Sequence, residues 1–166
     1  MSFSRRRFLQ ITAAGLTAAP LGCAGPRLRE TGALAGVLDS YVDTLLPADS
    51  APGALQLGVP DRVRALVRHK RALVPVYNGG LAWLAAQAQA RHRRPFPALT
   101  PGEREALVRR LGEQSDAVLA RFFHKSLRHA MMFHYSHPAA WPALGLRGAP
   151  QPAGFMDYAQ PPAGHG

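Results

Sequence analysis

The chain has 166 residues and carries 20 Lys and Arg against 10 Asp and Glu, a formal charge of +10. Apolar residues make up 47 %, which excludes wholesale disorder and allows one domain with a single core. One cysteine, Cys23, excludes an intramolecular disulfide, C-x-x-C-H haem attachment and a Cys-ligated iron–sulfur cluster.

At the start stands Ser4-Arg5-Arg6-Arg7-Phe8-Leu9, followed by an uncharged run from Ile11 to Leu21. A basic region, a short apolar region and small residues from Gly22 to Gly25 form a secretory signal. The run is too short for the roughly 20 residues of a spanning helix. The order of Arg5, Arg6, Phe8 and Leu9 resembles the twin-arginine export signal, an address read by the twin-arginine translocase, which carries proteins already folded. Residues 1–24 are therefore expected to be a signal peptide and the mature chain periplasmic. Cys23 follows Leu21-Gly22 as a candidate lipidation site, although Pro20 departs from the usual pattern; cleavage after Ala24 is the alternative. The excess of cations persists without Arg5, Arg6 and Arg7. It favours an acidic partner or anionic lipid, and export argues against nucleic acid.

Residues 25–137 read as a helical domain. Leu34, Val37, Leu38, Tyr41, Val42 and Leu45 form one apolar stripe, with Asp39 and Asp43 on the other face. Pro47 ends that helix, and three prolines and two glycines between Leu46 and Pro60 exclude a regular element there. Asp49 and Ser50 can cap turns within it. Pro60 suits the first turn of a helix that buries Val63, Leu66 and Val67 and exposes Arg62, Arg64, Arg68, Lys70 and Arg71. Pro75 and Gly79-Gly80 are expected to interrupt or kink the helix, and Leu81 to Ala90 to form a further helix anchored by Trp83 and Leu84. Phe96, between two prolines, is expected to be extended.

Thr100-Pro101-Gly102-Glu103 is a capping box, opening a helix that carries Leu107, Val108 and Leu111 and closes near Gly112. A last helix runs from about Asp116 to Tyr135, with Leu119, Phe122, Phe123, Ser126, Leu127, Ala130 and Met131 as its core stripe. His137-Pro138 breaks it. Residues 138–166, rich in Pro and Gly with Trp141, Phe155 and Tyr158 among them, read as an extended C-terminal arm. No strand pattern is visible. The expected fold is all-α, a compact bundle of about four to six helices.

No dinucleotide fingerprint, phosphate loop or nucleophile elbow is present. His134 and His137 are three apart, but His124 and His129 precede them at five-residue steps that rotate around a helix, so the four do not converge on a metal. No catalytic, cofactor-binding or metal-binding residue is assigned.

Several strings occur together in order: Leu45-Leu46-Pro47-Ala48-Asp49, Pro52-Gly53-Ala54, Gly58-Val59-Pro60, Phe122-Phe123, Tyr135-Ser136-His137-Pro138, Gly145-Leu146-Arg147-Gly148 and Pro150-Gln151-Pro152. This set resembles the gluconate 2-dehydrogenase subunit 3 family, departing from it at Leu146, where an aromatic is expected. The resemblance implies a small non-catalytic subunit of a membrane-associated dehydrogenase, with FAD in a large subunit of the glucose–methanol–choline oxidoreductase type. A multihaem cytochrome c often completes such complexes. It also implies that the small subunit supplies the export signal and helps the flavoprotein mature. Pro47, Asp49, Pro52, Gly53 and Gly58, with Trp141, Gly145, Gly148, Pro150, Pro152, Phe155 and Tyr158, are the expected partner contacts. The alternatives are a stand-alone periplasmic enzyme with a histidine-bound metal and a lipid-anchored structural or binding protein.

Overall fold

The computed structural model describes residues 32–148, with the backbone alone for 32–35. The expected export signal with Arg5, Arg6, Phe8 and Leu9, the candidate lipidation site Cys23, the side chain of Leu34, and Pro150, Pro152, Phe155 and Tyr158 lie outside these residues.

Five α-helices form the described chain: α1 (Gly32–Leu45), α2 (Val59–His69), α3 (Val74–His92), α4 (Pro101–Gly112) and α5 (Ala117–Tyr135). Short 3-10 turns occupy Arg71–Leu73, Phe96–Ala98, Pro138–Ala140 and Pro142–Leu144, and no strand occurs among the described residues. The all-α bundle expected from the apolar stripes is thus the observed architecture. Helices α1, α3 and α5 each pack against all the other helices.

The helix boundaries follow local chemistry. Thr100 Oγ1 accepts from the Glu103 amide at the start of α4, while the Glu103 carboxylate accepts from the Thr100 amide at 2.8 Å. That reciprocal cap satisfies two amides which helical geometry leaves without partners. Asp116 Oδ1 accepts from the amides of Val118 and Leu119, both at 2.9 Å, and starts α5. Helix α3 ends at Arg93, a non-glycine residue in the left-handed region (φ 54°).

The Gly79-Gly80 pair does not break α3, contrary to the expectation from propensity. The helix runs unbroken from Val74 to His92, with Pro75 in its first turn, where a missing amide costs nothing. Gly80 is there because of α5. A Cβ built on it would lie 2.0 Å from Cδ1 of Phe122, so the absent side chain is the space the Phe122 ring occupies. Phe122 is fully buried, stacked on Tyr41 of α1 at 5.3 Å between ring centroids and edge-on to Tyr77 of α3 at 5.4 Å. Ser126, one turn on, donates to the Phe122 carbonyl at 2.7 Å, so the Tyr41 hydroxyl donates to Ser126 Oγ at 2.8 Å. Every polar atom in this aromatic centre is therefore paired.

Phe96 is not extended: it begins a 3-10 turn and is completely buried, and only Pro95 before it is extended. The buried row of α5 is Phe122, Ser126, Ala130 and His134 at four-residue spacing, with Leu119 and Phe123 partly buried beside it. Met131, expected in that stripe, is instead 42 % exposed. Residues 138–148, expected as the start of an extended arm, coil into the last two 3-10 turns at the end of α5.

The cations of α2 are not a uniformly solvated face. Arg64 pairs with Asp39 of α1 and with Asp61 at 2.8 Å. Arg62 donates to the Phe133 carbonyl and to Ser136 Oγ, both at 3.1 Å, with its guanidinium 4.6 Å from the Phe133 ring centroid. Arg104 of α4 donates to Asp43 at 3.2 Å and to the Ser40 carbonyl at 3.3 Å. The polar face of α1 thus takes one arginine from α2 and one from α4.

The fit of Phe122 to Gly80 sets a test. Gly80→Ala should destabilise the domain by about 1–3 kcal/mol, since the new methyl overlaps a ring that cannot leave the core. Gly102→Ala, at a helical position with nothing within 4 Å, should stabilise it by up to about 1 kcal/mol. Urea unfolding of the two variants measures both; equal stabilities would contradict the packing described.

Candidate functional site

The segment between α1 and α2 is irregular but closed on itself. The Ala54 amide donates to the Leu46 carbonyl at 2.9 Å and the Val59 amide to the Ala54 carbonyl at 3.0 Å, so the chain leaves α1 and returns beside it. Asp49 Oδ1 accepts from the Ala51 amide at 2.8 Å, the side-chain turn expected of an Asp in this setting. Gln56 Oε1 accepts from the Gly53 amide at 2.7 Å. A Cβ on Gly53 would lie 2.4 Å from the Ala48 nitrogen, a backbone atom with no freedom to withdraw. Gly53 is therefore an internal spacer, and with it Ala54 and Leu57 reach the core. Gly58 takes φ 64° and delivers the chain into α2.

The end of α5 meets this loop. His137 Nδ1 accepts from the Ala139 amide at 3.2 Å and starts the first 3-10 turn, whose Ala140 is buried. Trp141 is half-buried, and its indole N–H donates to the Tyr135 carbonyl at 3.0 Å. The Leu146 amide donates back to the Trp141 carbonyl at 3.0 Å, across Gly145 at φ 72°. Ala48, Asp49, Pro52 and Leu57 of the loop and His137 and Ala139 of the turn line one open groove of about 550 Å³. Two segments 80 or more positions apart, each singled out from its proline and glycine content, thus share one surface.

The expected contact residues divide by role. Pro47 and Asp49 are exposed, Pro52 is half-buried and Gly53 is buried. Gly145 and Gly148 are exposed on the second segment. What composition did not reveal is the outward face of α5, where Met131, Met132 and Tyr135 are 42 %, 48 % and 39 % exposed. Its signal was available in the four-residue spacing of Phe122, Ser126, Ala130 and His134, but the polar His134 at the end of that row conceals it.

The four histidines of the last helix and turn go to different places. His124 faces outward on α5. His129 Nδ1 lies 2.8 Å from the Tyr77 hydroxyl, His134 is buried with Nδ1 unpaired among the described residues, and His137 caps a turn. Among the described residues no three His, Cys, Asp or Glu side chains come together in a way that could hold a metal ion. Burial pushes the Tyr41 and Tyr77 hydroxyls well above their ordinary range, so both remain protonated. The Tyr77 hydroxyl and His129 Nδ1 share one hydrogen bond whose donor is set by the imidazole tautomer.

The family model described as gluconate 2-dehydrogenase subunit 3 matches residues 35–148, more than half of the chain. No curated protein and no solved structure matches it.

The half-buried His129 and the buried His134 predict a pH dependence. Desolvation lowers the His129 pKa, aided by Lys125, Lys70 and Arg128; desolvation and then His137 lower that of His134. The folded chain resists protonation at both sites, while the unfolded chain takes up protons below about pH 6.5. Stability from these groups is complete above that pH and falls as the pH drops below it, because the unfolded state then binds more protons. Glu103 adds a second loss further into acid, since the Thr100 amide and hydroxyl, before any ion pair, hold its carboxyl below the usual carboxylate range. Urea midpoints between pH 8 and pH 5 should decline below about 6.5, and His129→Gln should flatten that decline.

Proposed function

The chain belongs to the gluconate 2-dehydrogenase subunit 3 family, and on that premise we propose that it is the non-catalytic small subunit of a periplasmic, FAD-dependent sugar or alcohol dehydrogenase complex. It carries the export signal for the pair and stabilises the large flavoprotein, which binds FAD; this chain binds no cofactor of its own. The observation that carries the reading is the family match over 35–148, which spans both segments of the loop–turn groove. The leader Arg5-Arg6-x-Phe8-Leu9 supports it from a separate direction. A flavoprotein must fold around FAD in the cytoplasm, and a twin-arginine leader on a firmly attached partner is sufficient to export it folded.

The groove suits the role of a holding surface. Its loop is fastened by its own hydrogen bonds, so little chain entropy is lost when a partner covers it. Trp141 is fixed at Tyr135 and offers a large rigid ring beside the turn. We place the contact to the flavoprotein on Pro47 to Gly58 and on the segment from Trp141 onward. A multihaem cytochrome c would then join through the large subunit.

Two variants test this reading. Arg5→Lys with Arg6→Lys should leave both the chain and the flavoprotein in the cytoplasm; normal periplasmic yield of the flavoprotein would show that it has its own route. Truncation after Ala140 retains all five helices and the leader. The shortened chain should remain helical by circular dichroism and still be exported, yet bring down less than a tenth of the flavin that the full chain does. Full recovery of active dehydrogenase with the truncated chain would assign the contact to the helices alone.

A further inference from the structure

Helix α5 presents an outward face that the loop–turn groove does not use. Arg128, Met131, Met132 and Tyr135 recur at the spacing that places residues on one side of a helix. With His124 and Leu127 they line a shallow dip of about 480 Å³ formed by this helix alone. Arg121 and Lys125 continue the same side toward the N-terminus. Across its nineteen residues α5 contains no Asp or Glu, and among the described residues no carboxylate pairs with Arg121, Lys125 or Arg128. The charge pattern contrasts with α1 and α4, where each of Asp39, Asp43, Glu103 and Glu105 meets a cation.

Such a face selects its partner by charge and shape. A second copy would set Arg121, Lys125 and Arg128 against their own kind. A lipid surface would gain little, because Met131, Met132 and Tyr135 are the large apolar side chains this face exposes, a small area to bury in acyl chains. A protein surface that sets a carboxylate beside an apolar side chain satisfies both: the carboxylate takes the planar Arg128 fork, and the apolar group enters the dip between the pliable methionines. We propose that the outward face of α5 is a second docking surface for the large dehydrogenase subunit, which meets it with an apolar side chain flanked by Asp or Glu. The proposal rests on the accessory-subunit reading above and extends that interface beyond the loop and turn. Tyr135 lies two residues before His137, so the two surfaces adjoin along the chain.

The test uses the full chain co-expressed with its flavoprotein subunit. Met131→Ser with Met132→Ser, and separately Arg128→Glu, alter exposed side chains and should leave the helical spectrum and melting temperature of the isolated chain unchanged. Each should weaken the complex at least tenfold. Raising NaCl from 0.1 to 0.5 M should weaken the wild-type complex and have far less effect on that of Arg128→Glu. Arg128→Lys, which keeps the charge and loses the fork, should fall between the two. If the wild-type chain binds the flavoprotein and the variants bind equally well, the α5 assignment is overturned and the accessory role stands. If the wild-type chain carries no flavoprotein, both are overturned. Variant-sensitive binding to phosphatidylglycerol–phosphatidylcholine vesicles would reassign the face to lipid. A wild-type dimer in sedimentation that the variants abolish would reassign it to a second copy.

Discussion

The bundle depends on one steric fit, the Phe122 ring in the space left by Gly80. It joins α5 to α3 at backbone-to-ring distance, and Tyr41 and Tyr77 close on the same ring from α1 and α3. Truncating a buried phenylalanine to alanine usually costs about 3–5 kcal/mol, a large part of the stability of a domain this size. The Tyr41–Ser126–Phe122 hydrogen-bond chain fixes the rotation of α5 about its axis as well as its distance. Once that rotation is fixed, the buried row and the outward row of α5 are both determined.

Polar contacts then orient the flanking helices. Asp39 and Asp43 lie one turn apart on α1 and receive Arg64 from α2 and Arg104 from α4. Pairs this close to solvent contribute little individually, typically about 0.2–1 kcal/mol. Their effect is on alignment: α2 cannot slide along α1 without separating Arg64 from Asp39. With the start of α2 held, the loop from Leu46 to Gly58 has both ends fixed, and its internal hydrogen bonds complete a preformed surface.

Helix existence and most boundaries were legible in the sequence, because they rest on local chemistry. The Thr100–Glu103 box, the Asp116 cap and the apolar stripe of α1 each act within four or five residues. The errors share a cause. Gly79-Gly80 reads as a breaker by propensity, but at Gly80 the missing Cβ serves a ring 42 positions away. Phe96 reads as extended from its flanking prolines, yet its ring is pulled into the core and the backbone follows into a 3-10 turn. Met131 reads as core by hydrophobicity, while His134 instead joins the expected Phe122, Ser126 and Ala130 in the buried row. The candidate surface was half legible. Proline and glycine density marked both segments of the groove, whereas their meeting, and the outward row of α5, come from helix rotation and have no local signature.

The Arg62 contacts give the two surfaces a mechanical relation. Arg62 is anchored in the first turns of α2, immediately after the loop, and grips the end of α5 through the Phe133 carbonyl, Ser136 Oγ and the Phe133 ring. One exposed side chain thus ties the start of α2, where the loop ends, to the end of α5. A cation–π contact of this kind is worth about 0.5–1 kcal/mol at an exposed site. Without Arg62 the end of α5 would come loose from the start of α2, while the Phe122–Gly80 fit that sets the rotation of the helix would remain.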